Sequence, residues 1–373
     1  MAKEPADVLV VMGTRPEVIK LAPVVAALRG RGLRAPVLAT AQHRSLLDQM
    51  LEAFDLHPDW DLDCMRPDQQ LSQLVSRALP AIEAIIRDSG ARVVLAQGDT
   101  TTVFTAALAA FHARVPFGHV EAGLRSGDLA APFPEEGNRR LATVLSRFHF
   151  APTDTARAAL LAEGVAAADI HVVGNTVIDA LLAMASRPEL PWPGALPPLR
   201  SGQRLVLVTL HRRENFGAPL ERCFAALAAF ARAHPEAVLA YPVHPNPHVL
   251  APARAALGGL ANVHLLEPLG YPHMVGLMRR AWALVTDSGG LQEEAPALGK
   301  PVLVCRQVTE RPEAVAAGSV KLAGVDGTTL TALLEQLWND PDRYQAMAVP
   351  RFPFGDGHAG ERIAGILSDW LAG

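Results

Sequence analysis

Residues 283–305 read ALVTDSGGLQEEAPALGKPVLVC. A β-branched run ends at Asp287, Ser288-Gly289-Gly290 follows, a helical stretch begins, and a second apolar run closes the segment at 301–305. Strand, glycine turn, helix and strand in that order form a βαβ unit, which implies parallel pairing. The paired glycines let backbone N–H groups approach an anion, and the helix start adds partial positive charge. Glu293 and Glu294 follow one turn later, where a carboxylate can accept from two ribose hydroxyls. A capping box led by Ser288 would also start a helix here, but it has no need of two glycines.

The same rhythm extends outward. Short apolar runs at 8–12, 92–97 and 205–209 alternate with helical stretches at 18–30, 72–88, 102–113, 218–233 and 328–338. It breaks at 187–203, RPELPWPGALPPLRSGQ, which reads as an interdomain connection or surface loop. The two halves echo each other. VLVV leads into Gly13-Thr14-Arg15-Pro16-Glu17, and LVLVT leads into His211-Arg212-Arg213-Glu214-Asn215. The predicted fold is therefore α/β, with two Rossmann-like doubly wound domains facing a central cleft. The expected bounds are 1–173 and 174–355, with an amphipathic C-terminal helix, 356–373, packing back on the first domain.

Composition narrows the function. The 373 residues are 50% apolar and 19% charged, which excludes a disordered chain. A net charge of −4 gives no basic field for nucleic acid or a membrane surface. Cys64, Cys223 and Cys305 are widely spaced, with no CxxC pair, so a reduced cytoplasmic setting is expected. The N-terminal apolar run is a strand, not a signal peptide, and the Ala-rich stretch at 103–111 is too short for a bilayer.

Four loops carry candidate chemistry. The first, Gly13 to Lys20, has neither GxGxxG nor a Walker A pattern. Its cations Arg15 and Lys20 suit a diphosphate better than a dinucleotide, while Pro16 and Glu17 read as an ordinary helix start. The second set is acidic: Asp99 in QGDTTT, Glu121 in GHVEAGLRSGD, and Glu135 and Glu136 in PFPEEGNRR, followed by Arg139 and Arg140. Several acids at strand ends suit proton transfer at carbon, although each can instead pair with a neighbouring arginine or cap a helix. The third is His211, flanked by Arg212, which can bind phosphate, donate a proton, or be a buried structural residue. The fourth is Ser288-Gly289-Gly290. No metal site is expected: His244 and His248 are separated by Pro245 and Pro247, off any regular helix face, and HExxH is absent.

Together these stretches resemble the non-hydrolysing UDP-N-acetylglucosamine 2-epimerase family. The matching segments are GTRPEVIKLAP, QGDTTT, HVEAGLRSGD, PFPEEGNRR, GNTVIDAL, LHRREN and TDSGGLQEEAPALGKPVLV with TERPEAV, in family order from residue 13 to residue 315. The resemblance implies a GT-B-type fold and a homodimer that supplies precursors of surface polysaccharide. It implies interconversion of UDP-N-acetylglucosamine and UDP-N-acetylmannosamine without a redox cofactor, by elimination of UDP to 2-acetamidoglucal and re-addition. It implies Asp99, Glu121 and Glu135 as the acid/base set, assisted by Arg139 and His211. The implied substrate contacts are Arg15, Lys20, Ser288, Gly289, Gly290, Glu294 and Arg311. In bacterial members a second substrate molecule often activates; the corresponding pocket would use Gln42, Arg212 and His244. Here Ser45 and Asp68 stand where the family has Gln and Arg, and Leu269 and Met274 depart from the family near the base.

Three rivals remain open on sequence. A UDP-sugar-dependent glycosyltransferase of the same fold would need an acceptor and a single base. A hydrolysing epimerase of the animal type would carry a fused kinase, for which this chain has no room. A nucleotide-sugar sensor would not need the acid cluster.

Overall fold

The computed structural model describes residues 5–40, 44–64, 66 and 69–373. Seven strands form the first sheet: β1 (Val8–Met12), β2 (Val37–Ala39), β3 (Trp60–Asp61), β4 (Val93–Gln97), β5 (Phe117–Val120), β6 (Phe148–Ala151) and β7 (Ile170–Val172). Six form the second: β8 (Arg204–Thr209), β9 (Ala237–Pro242), β10 (Val263–Leu266), β11 (Ala283–Thr286), β12 (Val302–Val304) and β13 (Val320–Leu322). The first sheet is ordered β3-β2-β1-β4-β5-β6-β7 and the second β10-β9-β8-β11-β12-β13. Among the described residues every pairing between these strands is parallel, as in β1 with β4 and β8 with β11. Both sheets thus have the doubly wound order, in which the chain reverses direction beside the first strand.

Helices cover the strands because the strands are apolar on both faces: β1, β4 and β11 are buried throughout. The first unit uses α1 (Arg15–Gly30), α2 (Arg44–Ala53), α3 (Leu71–Ser89), α4 (Thr101–His112), α5 (Glu135–Leu145) and α6 (Asp154–Ala162). It is followed by α7 (Thr176–Ala185). The second unit uses α8 (Ala218–Ala233), α9 (Pro247–Leu257), α10 (Tyr271–Arg280), α11 (Gly289–Ala297), α12 (Pro312–Ala316), α13 (Thr328–Asn339) and α14 (Pro341–Met347). The chain ends in α15 (Ala359–Ala372). Each unit has its own core, one around Leu9, Val94, Ile82 and Phe117 and another around Val208, Phe224, Tyr241 and Leu303.

One compact unit runs to Ala180 and resumes at Gly355, and the other spans Leu181–Phe354. The division falls inside α7, later than the expected 173/174. The first turn of α7 is tied to the first unit: Asn175 donates to Glu121, and Asp179 accepts from the Gly360 amide at 2.7 Å. That last bond also docks α15, whose Gly360 lies against the Pro23 carbonyl of α1; a Cβ there would sit 3.0 Å from it. The Pro-rich stretch 187–203 forms neither helix nor strand and belongs wholly to the second unit. Among the described residues, no helix is long and apolar enough to cross a membrane.

Candidate active site

In each unit the topological switch point lies between the first strand and the strand that follows the reversal, so two loops meet there. In the first unit they are Gly13-Thr14 after β1 and Gly98-Asp99-Thr100 after β4. Gly13 is required by contact: a Cβ there would lie 2.3 Å from Thr40 Oγ1 and 2.6 Å from Thr102 Oγ1. Arg15 is the first residue of α1, which puts it at the same strand-end loops.

Glu121 follows β5 with φ of 64°. For a non-glycine residue the left-handed region costs about 1–2 kcal/mol, so the surroundings must hold it there. Three donors do so. Lys20 donates at 2.5 Å, Asn175 at 2.9 Å, and Gln97 from the end of β4. The carboxylate is therefore charge-matched and fixed in direction. Lys20, expected as a diphosphate contact, is turned to Glu121.

Asp99 receives the Arg139 guanidinium, and its backbone carbonyl accepts from Asn138 at 3.0 Å. Both partners lie on α5, so the acid loop and that helix are coupled. The adjacent acids of α5 separate cleanly. Glu136 is fully buried and binds Arg139, Arg140 and the Ser126 amide. Burial alone would raise its carboxyl; the Ser126 amide and the two guanidiniums outweigh that and hold it below the usual range. Glu135, at the first helical position, is half-buried and makes no side-chain hydrogen bond or ion pair among the described residues.

His119, inside β5, is fully buried and bonds the Gly98 carbonyl at 2.7 Å through Nε2. Burial pushes its imidazole down to about 4, so it stays neutral and props the acid loop from below.

The second unit is built differently. Asp287, at the end of β11, is 0% exposed and accepts from the amides of His211 and Arg212 and from Asn215 Nδ2 at 3.2 Å. Its charge is spent on main chain, which fixes the loop after β8. His211 then stacks on His244 with ring centroids 5.8 Å apart and planes at 14°. Burial lowers its imidazole from the ordinary value against the pull of Asp287, so near neutral pH it offers a hydrogen bond rather than a fixed charge.

Beside this loop, α11 opens with Ser288 as its N-cap and Gly289-Gly290 as its first residues. A Cβ on Gly289 would lie 3.8 Å from both Arg212 Nη2 and Arg311 Nη2. Two guanidiniums and a helix N-terminus converge on one bare backbone position, which is a site for an anion. Arg311 is aimed there by Glu293, buried one turn into α11. The neighbouring Glu294 takes the Tyr271 hydroxyl at 2.9 Å instead. Arg212, expected with Gln42 and His244 in an activator pocket, thus lies at the anion position. His244 stacks on His211, and Gln42 and Asp68 fall outside the described residues, as does the side chain of Ser45.

Sequence reading passed over Gln97, Asn175, Asp287 and Glu17. The first three lie at or just after strand ends but serve residues 24 to 76 positions away, so a polar side chain at an apolar strand's end was the only local signal. Glu17 reads in sequence as an ordinary helix start.

A family model for UDP-N-acetylglucosamine 2-epimerase matches residues 26–368. The chain belongs to the UDP-N-acetylglucosamine 2-epimerase family. It is 49% identical to a probable UDP-N-acetylglucosamine 2-epimerase of Ralstonia nicotianae, over 98% of this chain and 99% of that one. The corresponding enzyme of Escherichia coli is 48% identical over 97% and 98% of the two chains. A Neisseria meningitidis UDP-N-acetylglucosamine 2-epimerase, solved with UDP-N-acetylglucosamine bound, superposes with a TM-score of 0.86 at 41% identity. That match covers 97% of this chain and 100% of the other. Epimerases of this family thus match the chain through both units and all four strand-end loops.

Proposed function

We propose that this protein interconverts UDP-N-acetylglucosamine and UDP-N-acetylmannosamine by eliminating and re-adding UDP. One observation carries the reading: acid groups gather at the switch point of the first unit and cations at that of the second. The sugar C2–H is not next to a carbonyl, so it needs another route to acidity. A carboxylate removes the C2 proton, the C–H electron pair becomes the C1–C2 double bond, and the C1–O bond breaks with its electrons leaving on UDP. The intermediate is 2-acetamidoglucal. In return, UDP attacks C1 and a second acid delivers a proton to C2 on the opposite face.

The roles follow from chemistry. Arg15, Arg212, Arg311, His211 and the Ser288-Gly289-Gly290 helix start hold the diphosphate and meet the charge developing on it. Glu294 serves the nucleoside. Asp99, Glu121 and Glu135 supply base and acid, with Arg139 orienting Asp99 and Lys20 orienting Glu121. Near-full-length identity to epimerases favours this over a glycosyltransferase of the same fold. The homodimer implied by family resemblance is supported by exposed Phe111 on α4 and Leu141 and Val144 on the adjoining α5. A cytoplasmic setting is supported by three unpaired, buried cysteines.

Turnover in D2O places one solvent deuterium at C2 in both epimers, read by NMR. Complete retention of the original hydrogen there would overturn elimination.

A further inference from the structure

Glu17 is only 2% exposed, although it sits in the first turn of a helix. One carboxylate oxygen accepts the amides of Gly13 at 2.5 Å and Thr14 at 2.9 Å. The other accepts the Thr100 hydroxyl at 2.6 Å. Thr100 follows Asp99 directly and caps α4 by accepting from the Val103 amide at 3.4 Å.

Helix capping accounts for the first pair of bonds, and an exposed carboxylate would do that work without loss. It does not account for the Thr100 bond, which joins loops 83 residues apart in sequence. Nor does it explain burial. Desolvation pushes the carboxyl up to about 7, helped by nearby Asp99, even with three donors opposing it. The two oxygens of this side chain face two loops at once, which a smaller capping residue does not do.

We infer that Glu17 is a positioning residue that sets the Asp99 loop against the Gly13-Thr14-Arg15 loop through the Thr100 hydroxyl. This rests on the acid/base reading of Asp99 proposed above. Glu17→Gln preserves shape, and its amide oxygen still accepts the Gly13 and Thr14 N–H groups. Its NH2 group, however, can no longer accept the Thr100 O–H, so the bond must reverse on a hydroxyl that already accepts from Val103, and the side chain is re-aimed. The loop is displaced while helix α1 keeps its cap.

The test is kinetic. Glu17→Gln should lower kcat by about 10- to 100-fold, the scale of a small misplacement, while KM and UDP inhibition change by less than about threefold. Thr100→Val should give a similar loss, Thr100→Ser should recover most of the rate, and Glu17→Gln with Thr100→Val should be no worse than the poorer single variant. Additive losses, or a normal kcat with only a lowered Tm, overturn the proposal. If Glu17→Gln does not fold, equal rates for Thr100→Val and Thr100→Ser overturn it. Asp99→Asn is the control. A normal rate there overturns the acid/base reading and the proposal with it; an inactive Asp99→Asn beside a normal Glu17→Gln overturns the proposal alone.

Discussion

The two units share a strand order and a loop plan, yet their switch points hold opposite chemistry. In the first, the Glu121 carboxylate is aimed by Lys20 and two side-chain amides, and that of Asp99 by the Arg139 guanidinium. In the second, the buried carboxylate Asp287 is consumed by main-chain amides, and two guanidiniums are left converging on Gly289. The same strand-end position thus carries a carboxylate held by side-chain donors after β5, at Glu121, and one held mainly by backbone amides after β11, at Asp287. The difference lies in what each carboxylate is bonded to, since both units contain acids and arginines at the same strand ends.

That contrast can be broken most directly at the acids. Asp99→Asn and Glu121→Gln should each lower kcat by about 10²–10⁴-fold in a folded protein, with UDP inhibition close to normal. A large loss of UDP affinity with kcat intact would assign the first unit to binding instead. On the other side, Arg311→Met and Arg212→Met should raise KM and the UDP inhibition constant by about 10- to 100-fold, the value of a charge-assisted hydrogen bond, with a smaller change in kcat. Equal losses in kcat and affinity for variants of both units would erase the division.

Asp287→Asn probes why the second unit needs its carboxylate. It replaces an acceptor with an NH2 group among three donors, so a loss of about 1–3 kcal/mol is expected in denaturant unfolding. An unchanged midpoint would show that the His211 loop is held by other contacts.

A further effect is pH-dependent. Because the folded carboxyl of Glu17 lies near 7, above its ordinary 4.5, its contribution to stability is present below about 4.5 and is lost as pH rises toward 7. Glu17→Gln removes that loss. Its stability relative to wild type should therefore improve across pH 4.5–7, by up to about 3 kcal/mol. A constant difference across that window would show that the carboxyl titrates normally.

Much of this was legible in the chain. The strands at 8–12 and 205–209, the helices beyond them and the loops at Asp99, Glu121, His211 and Ser288 follow from apolar runs, glycines and their spacing. These are local properties, set by backbone sterics and burial within a few residues. What sequence could not supply was partnership. Glu135 and Glu136 are adjacent and chemically alike, and only the packing of α5 decides that Glu136 is the one locked between Arg139, Arg140 and Ser126. Lys20 and Glu121 are 101 positions apart, and Glu17 and Thr100 are 83 apart. A hydrogen bond depends on distance and direction in space, which the parallel sheet fixes by bringing strand ends together. The residue types and their loops were thus determined by the sequence. Which acid is held, and by what, was decided by the tertiary structure, because charge is tuned by neighbours that the chain brings close only when folded.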